Sequence, residues 1–220
     1  MASLSDIKQE LQNLADSKQA ENLQRFFKTG KGEYGEGDFF IGLRVPQIRK
    51  IVNKEYKDTS LADIEKLLHS NIHEHRMTAL LLLVKKFEKA NKQEQEEIYN
   101  LYLKNTKYIN NWDLVDVTTP NIVGTYLLEK DRTILYKLVK SKDLWEKRIS
   151  ILATFPFIRN NDFEDSLKIS EILLTDNHDL IHKAVGWMLR EVGNRDIKTE
   201  EIFLNKHCKK MPRTMLRYAI

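Results

Sequence analysis

One cysteine, Cys208, stands in 220 residues. A lone thiol has no internal partner, so a disulfide framework is excluded and a reducing cytoplasm is the expected setting. Long apolar runs are missing too. No stretch approaches the roughly 20 residues that cross a bilayer, and "MASLSDIKQELQ" lacks the pattern of a signal peptide. Prolines number four and glycines eight, with five of the glycines inside "TGKGEYGEGDFFIG", residues 29–42. Alternating strand patterns bounded by tight turns are absent, which excludes a sheet built from hairpins. Neither sign of charge dominates: 36 Lys and Arg face 32 Asp and Glu, for a net of +4. So mild an excess permits a polyanionic partner without arguing for one, and the placement of the charges decides.

What is present is helical periodicity. "SDIKQELQNLA", "SLADIEKLLHS", "EQEEIYNLYLK" and "FEDSLKISEILL" put apolar residues at i, i+3, i+4 and i+7, the stripe of a half-buried helix. "VPQIRKIVNKEY" and "MPRTMLRYAI" read as further helices near the two ends. The glycine-rich stretch contains a decoy, since Gly30, Gly32 and Gly35 fit G-x-G-x-x-G. The dinucleotide motif follows a strand and opens a helix that receives the pyrophosphate. Here it follows the helical "ENLQRFFK", among Glu33, Glu36 and Asp38, which repel phosphate. It reads as a long turn, and no cofactor is expected.

The chain also repeats itself. With "EHRMTALLLL", "NNWDLVDVTT", "EKRISILATF" and "IHKAVGWMLR" aligned, Arg76, Trp112, Arg148 and Lys183 share a column, separated by 36, 36 and 35 residues. Each segment follows another amphipathic helix, so the unit is a helix pair of the size found in helical solenoids. The fold class read here is all-α: one domain over residues 1–220, an α-solenoid of helix pairs resembling HEAT repeats.

Four residues on, the next row reads Leu80, Asp116, Leu152 and Trp187. Residues at i and i+4 share a helix face, so Trp112 lies over Asp116 and Lys183 over Trp187. Asp116 thus takes a place that two sister segments give to leucine, where burying an acid is expensive. Two readings stay open: a buried pair with Arg148 that holds neighbouring helices in register, or a functional carboxylate among tryptophans and cations. Asp113, in the first turn, reads as a helix-end acid favoured by the dipole and the free N–H groups. Trp145 reads as preceding its helix and packing between repeats. His178 and His182 are four apart, but "HDLIH" lacks the glutamate of H-E-x-x-H, and His73 and His75 have the wrong spacing to share a helix face. Helix-start or surface positions account for these histidines, and no metal site is expected. Cys208 beside His207 shows no nucleophile pattern.

"NNWDLVD", "LWEKRISILATF", "HKAVGWMLREVG" and "MPRTMLRYAI", with "GLRVPQIRK" upstream, resemble the AlkD-type DNA alkylation repair family from about residue 20 onward. The resemblance implies a HEAT-like solenoid whose concave face cradles duplex DNA. It also implies a DNA glycosylase that excises cationic N3- or N7-alkylated purines, approaching the lesion from the backbone side. By position, Asp116 would be the catalytic carboxylate, and Trp112 and Trp187 the aromatics of the lesion cleft. Arg148 would meet the DNA backbone beside the lesion and Arg190 would help to hold it; Arg76 and Lys183, from the column of cations, and Arg44 are read as further DNA contacts. Some members have glutamine at the place of Arg44 and tyrosine at that of Phe26, and relatives continue past "RYAI". The partner implied is double-stranded DNA carrying alkylated purines, bound by a monomer without metal. Two other readings remain beside it: a non-catalytic helical protein sensing altered DNA, and a protein-interaction scaffold.

Overall fold

The computed structural model describes residues 4–220; residues 1–3, part of the segment read above for a signal peptide, lie outside them. Among the described residues the architecture is all-α, and β pairing is confined to an isolated bridge between Phe39 and Ile72. The chain divides into two compact units, Met1–Leu114 and Val115–Ile220. The first holds α1 (Leu4–Asn13), α2 (Ser17–Phe26), α3 (Val45–Glu55), α4 (Leu61–Leu68), α5 (His73–Phe87) and α6 (Lys92–Lys104). The boundary falls inside α7 (Trp112–Thr119), which runs on into a π-helical turn at Pro120–Gly124. The second unit holds α8 (Thr133–Leu138), α9 (Leu144–Leu152), α10 (Phe155–Arg159), α11 (Glu164–Leu173), α12 (Asp179–Gly193), α13 (Ile197–His207) and α14 (Arg213–Ala219).

Every periodic segment of the sequence is a helix, and the four aligned segments are the second members of α4–α5, α6–α7, α8–α9 and α11–α12. The starts are set by residues that satisfy free N–H groups. Asp16, Ser60, Asp143 and Asp196 cap α2, α4, α9 and α13, and Asn91 forms a reciprocal box with Glu94 at the head of α6. His178 caps α12 through its ring, accepting from the backbone N–H of Leu180, as a helix-start role requires. Trp145 differs from its reading: it lies within the first turn of α9 and is buried.

Each unit is organised around one long helix. In the first, α5 is buried almost all round and packs on α3 and α4. In the second, α12 buries Ile181, Ala184, Val185, Met188, Leu189 and Val192, one stripe at helical spacing, and packs on α9, α11, α13 and α14. A helix this short is marginal alone in water, so burial of that stripe holds it. Gly186 lets α14 approach, because a Cβ there would collide with the carbonyl oxygen of Met215 and with Tyr218.

The glycine-rich turn is fastened to α5 by a buried carboxylate. Glu74 accepts the backbone N–H groups of Ile41, Gly42 and Leu43 at 2.8–3.1 Å. At Gly42 the backbone turns to φ +94°, and a Cβ would strike the carbonyl oxygen of Asp16. Both carboxylate oxygens of Glu74 are used, since Ile41 reaches each of them. Glu74→Gln puts an N–H against an N–H and should cost roughly 2 kcal/mol, the worth of a charge-assisted bond. A lower urea midpoint with an unchanged slope is the expected readout.

Candidate active site

Helix α7 answers why an acid sits deep in an apolar segment. It buries Leu114, Val115, Thr118 and Thr119, and leaves Trp112, Asp113, Asp116 and Val117 partly exposed. The second set falls at i, i+1, i+4 and i+5, a single face. Asn111, fully buried, starts the helix by accepting the N–H of Trp112 on its side-chain oxygen at 2.8 Å.

In the second unit, Asp116 and Arg148 form a two-point pair. Arg148 donates from Nε to Oδ1 and from Nη2 to Oδ2, each at 2.7 Å, and from Nη1 to the carbonyl oxygen of Leu180. The Arg148 side chain is 6% exposed and that of Asp116 18%. A rigid fork closed on a carboxylate fixes its plane as well as its position. Both readings of Asp116 meet here: the pair expected of a structural lock is present, on a side chain that is not fully buried.

Trp187 lies one turn beyond Lys183 on α12. Its Nε1 donates to Glu191 at 3.0 Å and its ring sits 5.8 Å from that of Phe155. Lys183 is half-exposed and pairs with Asp179 at 2.7 Å. Arg190 is exposed near the end of α12.

In the first unit, Trp112 stacks on Phe27, with centroids 5.2 Å apart and planes 23° apart, and meets Phe26 edge-on. Its Nε1 donates to Tyr34 Oη at 3.3 Å. Arg44 is exposed at the head of α3, where its backbone N–H is taken by Gln47 Oε1.

Arg76 and Arg148, both read as DNA contacts, are covered by their neighbours. Arg76 is 3% exposed and donates to Asp38 and to the carbonyl oxygen of Ser70, while Arg148 is enclosed as described. Arg44 and Arg190 are exposed, and Lys183 is half-exposed.

His73 is corrected, and Asp113 gains a second partner. Asp113 is more than a helix-end acid: its Oδ1 accepts from the N–H of Leu114 and its Oδ2 lies 2.9 Å from His73 Nε2. His73, read as a helix-start or surface histidine, opens α5 but is 3% exposed, and its Nδ1 lies 2.8 Å from Asp38 Oδ2. Burial opposes charge on this ring, yet Asp113 and then Asp38 outweigh it and raise the pKa to about 9. Asp38 is held below its ordinary value: burial works against its ionisation, and His73 and Arg76 overcome it. His75 is also buried, and desolvation, with Lys8 and Arg76 near, pushes it down to about 4. Asp38, Tyr34 and Phe27 escaped sequence reasoning because they lie in or next to a stretch whose only local signal is glycine.

The sequence model of a family described as "DNA alkylation repair enzyme" matches residues 7–220. A solved structure described as a predicted DNA alkylation repair enzyme from Enterococcus faecalis superposes with a TM-score of 0.73. Its identity is 15%, over 93% of this chain and 94% of that one. The smu.31 protein of Streptococcus mutans gives 0.56 at 17% identity, covering 92% and 94%. AlkD2 from Streptococcus mutans gives 0.55 at 16%, covering 91% and 94%. A comparison with curated proteins found no match.

The charged state of His73 sets a pH dependence. Its folded pKa of about 9 exceeds the ordinary 6.5, so the stabilisation from its proton is complete below pH 6.5 and is lost as pH rises through 9. The loss amounts to about 3 kcal/mol. The melting temperature should therefore fall across that window, and fall less in His73→Gln. Parallel profiles for the two proteins would contradict a charged His73.

Proposed function

We propose, for a chain that belongs to the family of DNA alkylation repair enzymes, that it is a DNA glycosylase excising cationic N3- or N7-alkylated purines from duplex DNA. The observation that carries this reading is the Asp116 carboxylate, held at two points by Arg148 on the partly exposed face of α7.

The chemistry asks for little more. An alkylated purine is already positively charged, so it departs with the electron pair of the glycosidic bond and becomes neutral without a protein acid. Positive charge then grows on the deoxyribose. A fixed carboxylate stabilises that oxocarbenium-like state and orients or deprotonates the water whose oxygen bonds to C1′. Arg148 is the positioning residue: it aims Asp116. An indole face suits a cationic base or the polarised C–H groups of the sugar, at about 0.5–2 kcal/mol per good contact, a role that the family resemblance gives to Trp112 and to Trp187. Of the five cations read for DNA, Arg44, Lys183 and Arg190 are at least partly exposed, and phosphate contact is assigned to them.

One observation favours a second reading. The same pair joins α7 to α9 and, through Leu180, to α12, which is what a purely structural lock does. The two readings part on a single assay. The purified protein should release 7-methylguanine from methylated duplex DNA, and Asp116→Asn should slow release on the order of 100-fold or more while duplex affinity persists. Unchanged release by a folded Asp116→Asn protein hands the residue to architecture.

Surface cations are tested by salt. Affinity for duplex DNA should fall linearly with the logarithm of salt concentration, and Arg190→Ala should flatten the slope by about one counterion. Arg76→Ala should leave the slope alone and lower the melting temperature instead, because it strands Asp38 beside His73. An equal change in slope from both variants removes the distinction drawn between exposed and buried arginines.

A further inference from the structure

His73 touches α7 by two routes that end on adjacent residues. The first is electrostatic. Both ring nitrogens face carboxylates, Nδ1 towards Asp38 Oδ2 at 2.8 Å and Nε2 towards Asp113 Oδ2 at 2.9 Å. Ionised carboxylates only accept, so the ring donates from both nitrogens. The charged groups around it come from three elements: Asp38 from the glycine-rich turn, Asp113 from α7, and Arg76 from α5 itself. Two acids and two cations balance, and Asn111 Nδ2 adds a long contact to Asp38 at 3.4 Å.

The second route is a column of rings. His73 stacks on Phe40 at 4.3 Å and 21°, Phe40 on Phe27 at 5.0 Å and 15°, and Phe27 on Trp112 at 5.2 Å and 23°. One end of the column is an imidazolium between two acids; the other is the indole of Trp112.

We infer that His73 is a positioning residue for Trp112: held between Asp38 and Asp113, it fixes the first turn of α7 and, through Phe40 and Phe27, the plane of the indole. Its consequence for catalysis rests on the glycosylase reading above; its consequence for the indole does not. A column of rings needs only apolar neighbours to be stable, and leucine at position 73 would fill the space. Charged partners cost desolvation, and what they add is direction. The histidine cannot rotate without losing a carboxylate, so the first ring of the column has one orientation. Asp113 is equally restricted. Its two oxygens accept from Leu114 and His73, and an amide in its place supplies one acceptor where two are used.

The test labels the protein with 5-fluorotryptophan and follows its fluorine NMR resonances, that of Trp112 being assigned by its disappearance in Trp112→Phe. In His73→Gln and in Asp113→Asn the Trp112 resonance should shift and broaden, while those of Trp145 and Trp187, in the second unit, stay. Asp113, at the partly exposed end of the network, gives the gentler variant should His73→Gln fail to fold. In the same variants, release of 7-methylguanine should lose on the order of 10- to 100-fold in kcat with little change in KM for the duplex, the mark of misplacement rather than lost binding. A Trp112 resonance unchanged in a folded variant overturns the inference. A moved resonance with kcat intact, when the unmodified protein is active, overturns the consequence for catalysis and leaves the placement of the indole standing. If the unmodified protein releases no base, the glycosylase reading fails, and the resonances alone decide whether His73 fixes the indole.

Discussion

A guanidinium with its fork closed on one carboxylate and its remaining nitrogen tied to a backbone carbonyl holds that carboxylate in a single orientation. Arg148 does this for Asp116, with Leu180 as its third anchor. In the aligned helices the place of Asp116 is taken by Leu80 and Leu152, both fully buried, and there it serves packing alone. Replacing apolar volume with an ion pair costs desolvation that the mutual attraction only partly offsets. What the pair adds is direction.

The first unit shows the same preference for fixed carboxylates, used for construction. Within four residues at the start of α5, Glu74 gathers three backbone N–H groups, and His73 and Arg76 grip Asp38. Both attachments act on the glycine-rich turn, which is therefore pinned at its end and beside Phe39 and Phe40. The turn in turn supplies Phe40 to the column that ends on Trp112. A stretch that looks floppy by composition is among the more tightly fastened parts of the unit.

Much of the fold was legible because its signals are local. Apolar spacing marked the helices, and an interval of about 36 residues marked the pairing. Asp116 was legible as an anomaly, an acid in a leucine column, and Arg148 as its partner, because both lie on repeats in register. The partners of His73 were not legible: Asp38 is 35 residues away and Asp113 is 40, joined only once the chain has folded back. Without Asp38 in view, the burial of Arg76 was not legible, nor was the second partner of Asp113. The column identified which residues share a face and was silent on which of them are covered.

The central claim is that the Asp116–Arg148 pair is kept for chemistry and that its structural part can be supplied by apolar packing. Asp116→Leu combined with Arg148→Met restores the leucine of the sister helices and removes both charges together, so neither is left buried alone. The measurement is thermal unfolding of this double variant beside its single-turnover release of 7-methylguanine from duplex DNA. The account predicts a melting temperature at or above that of the unmodified protein, duplex binding retained, and base release lost. A stable double variant that still releases the base at the original rate would contradict it.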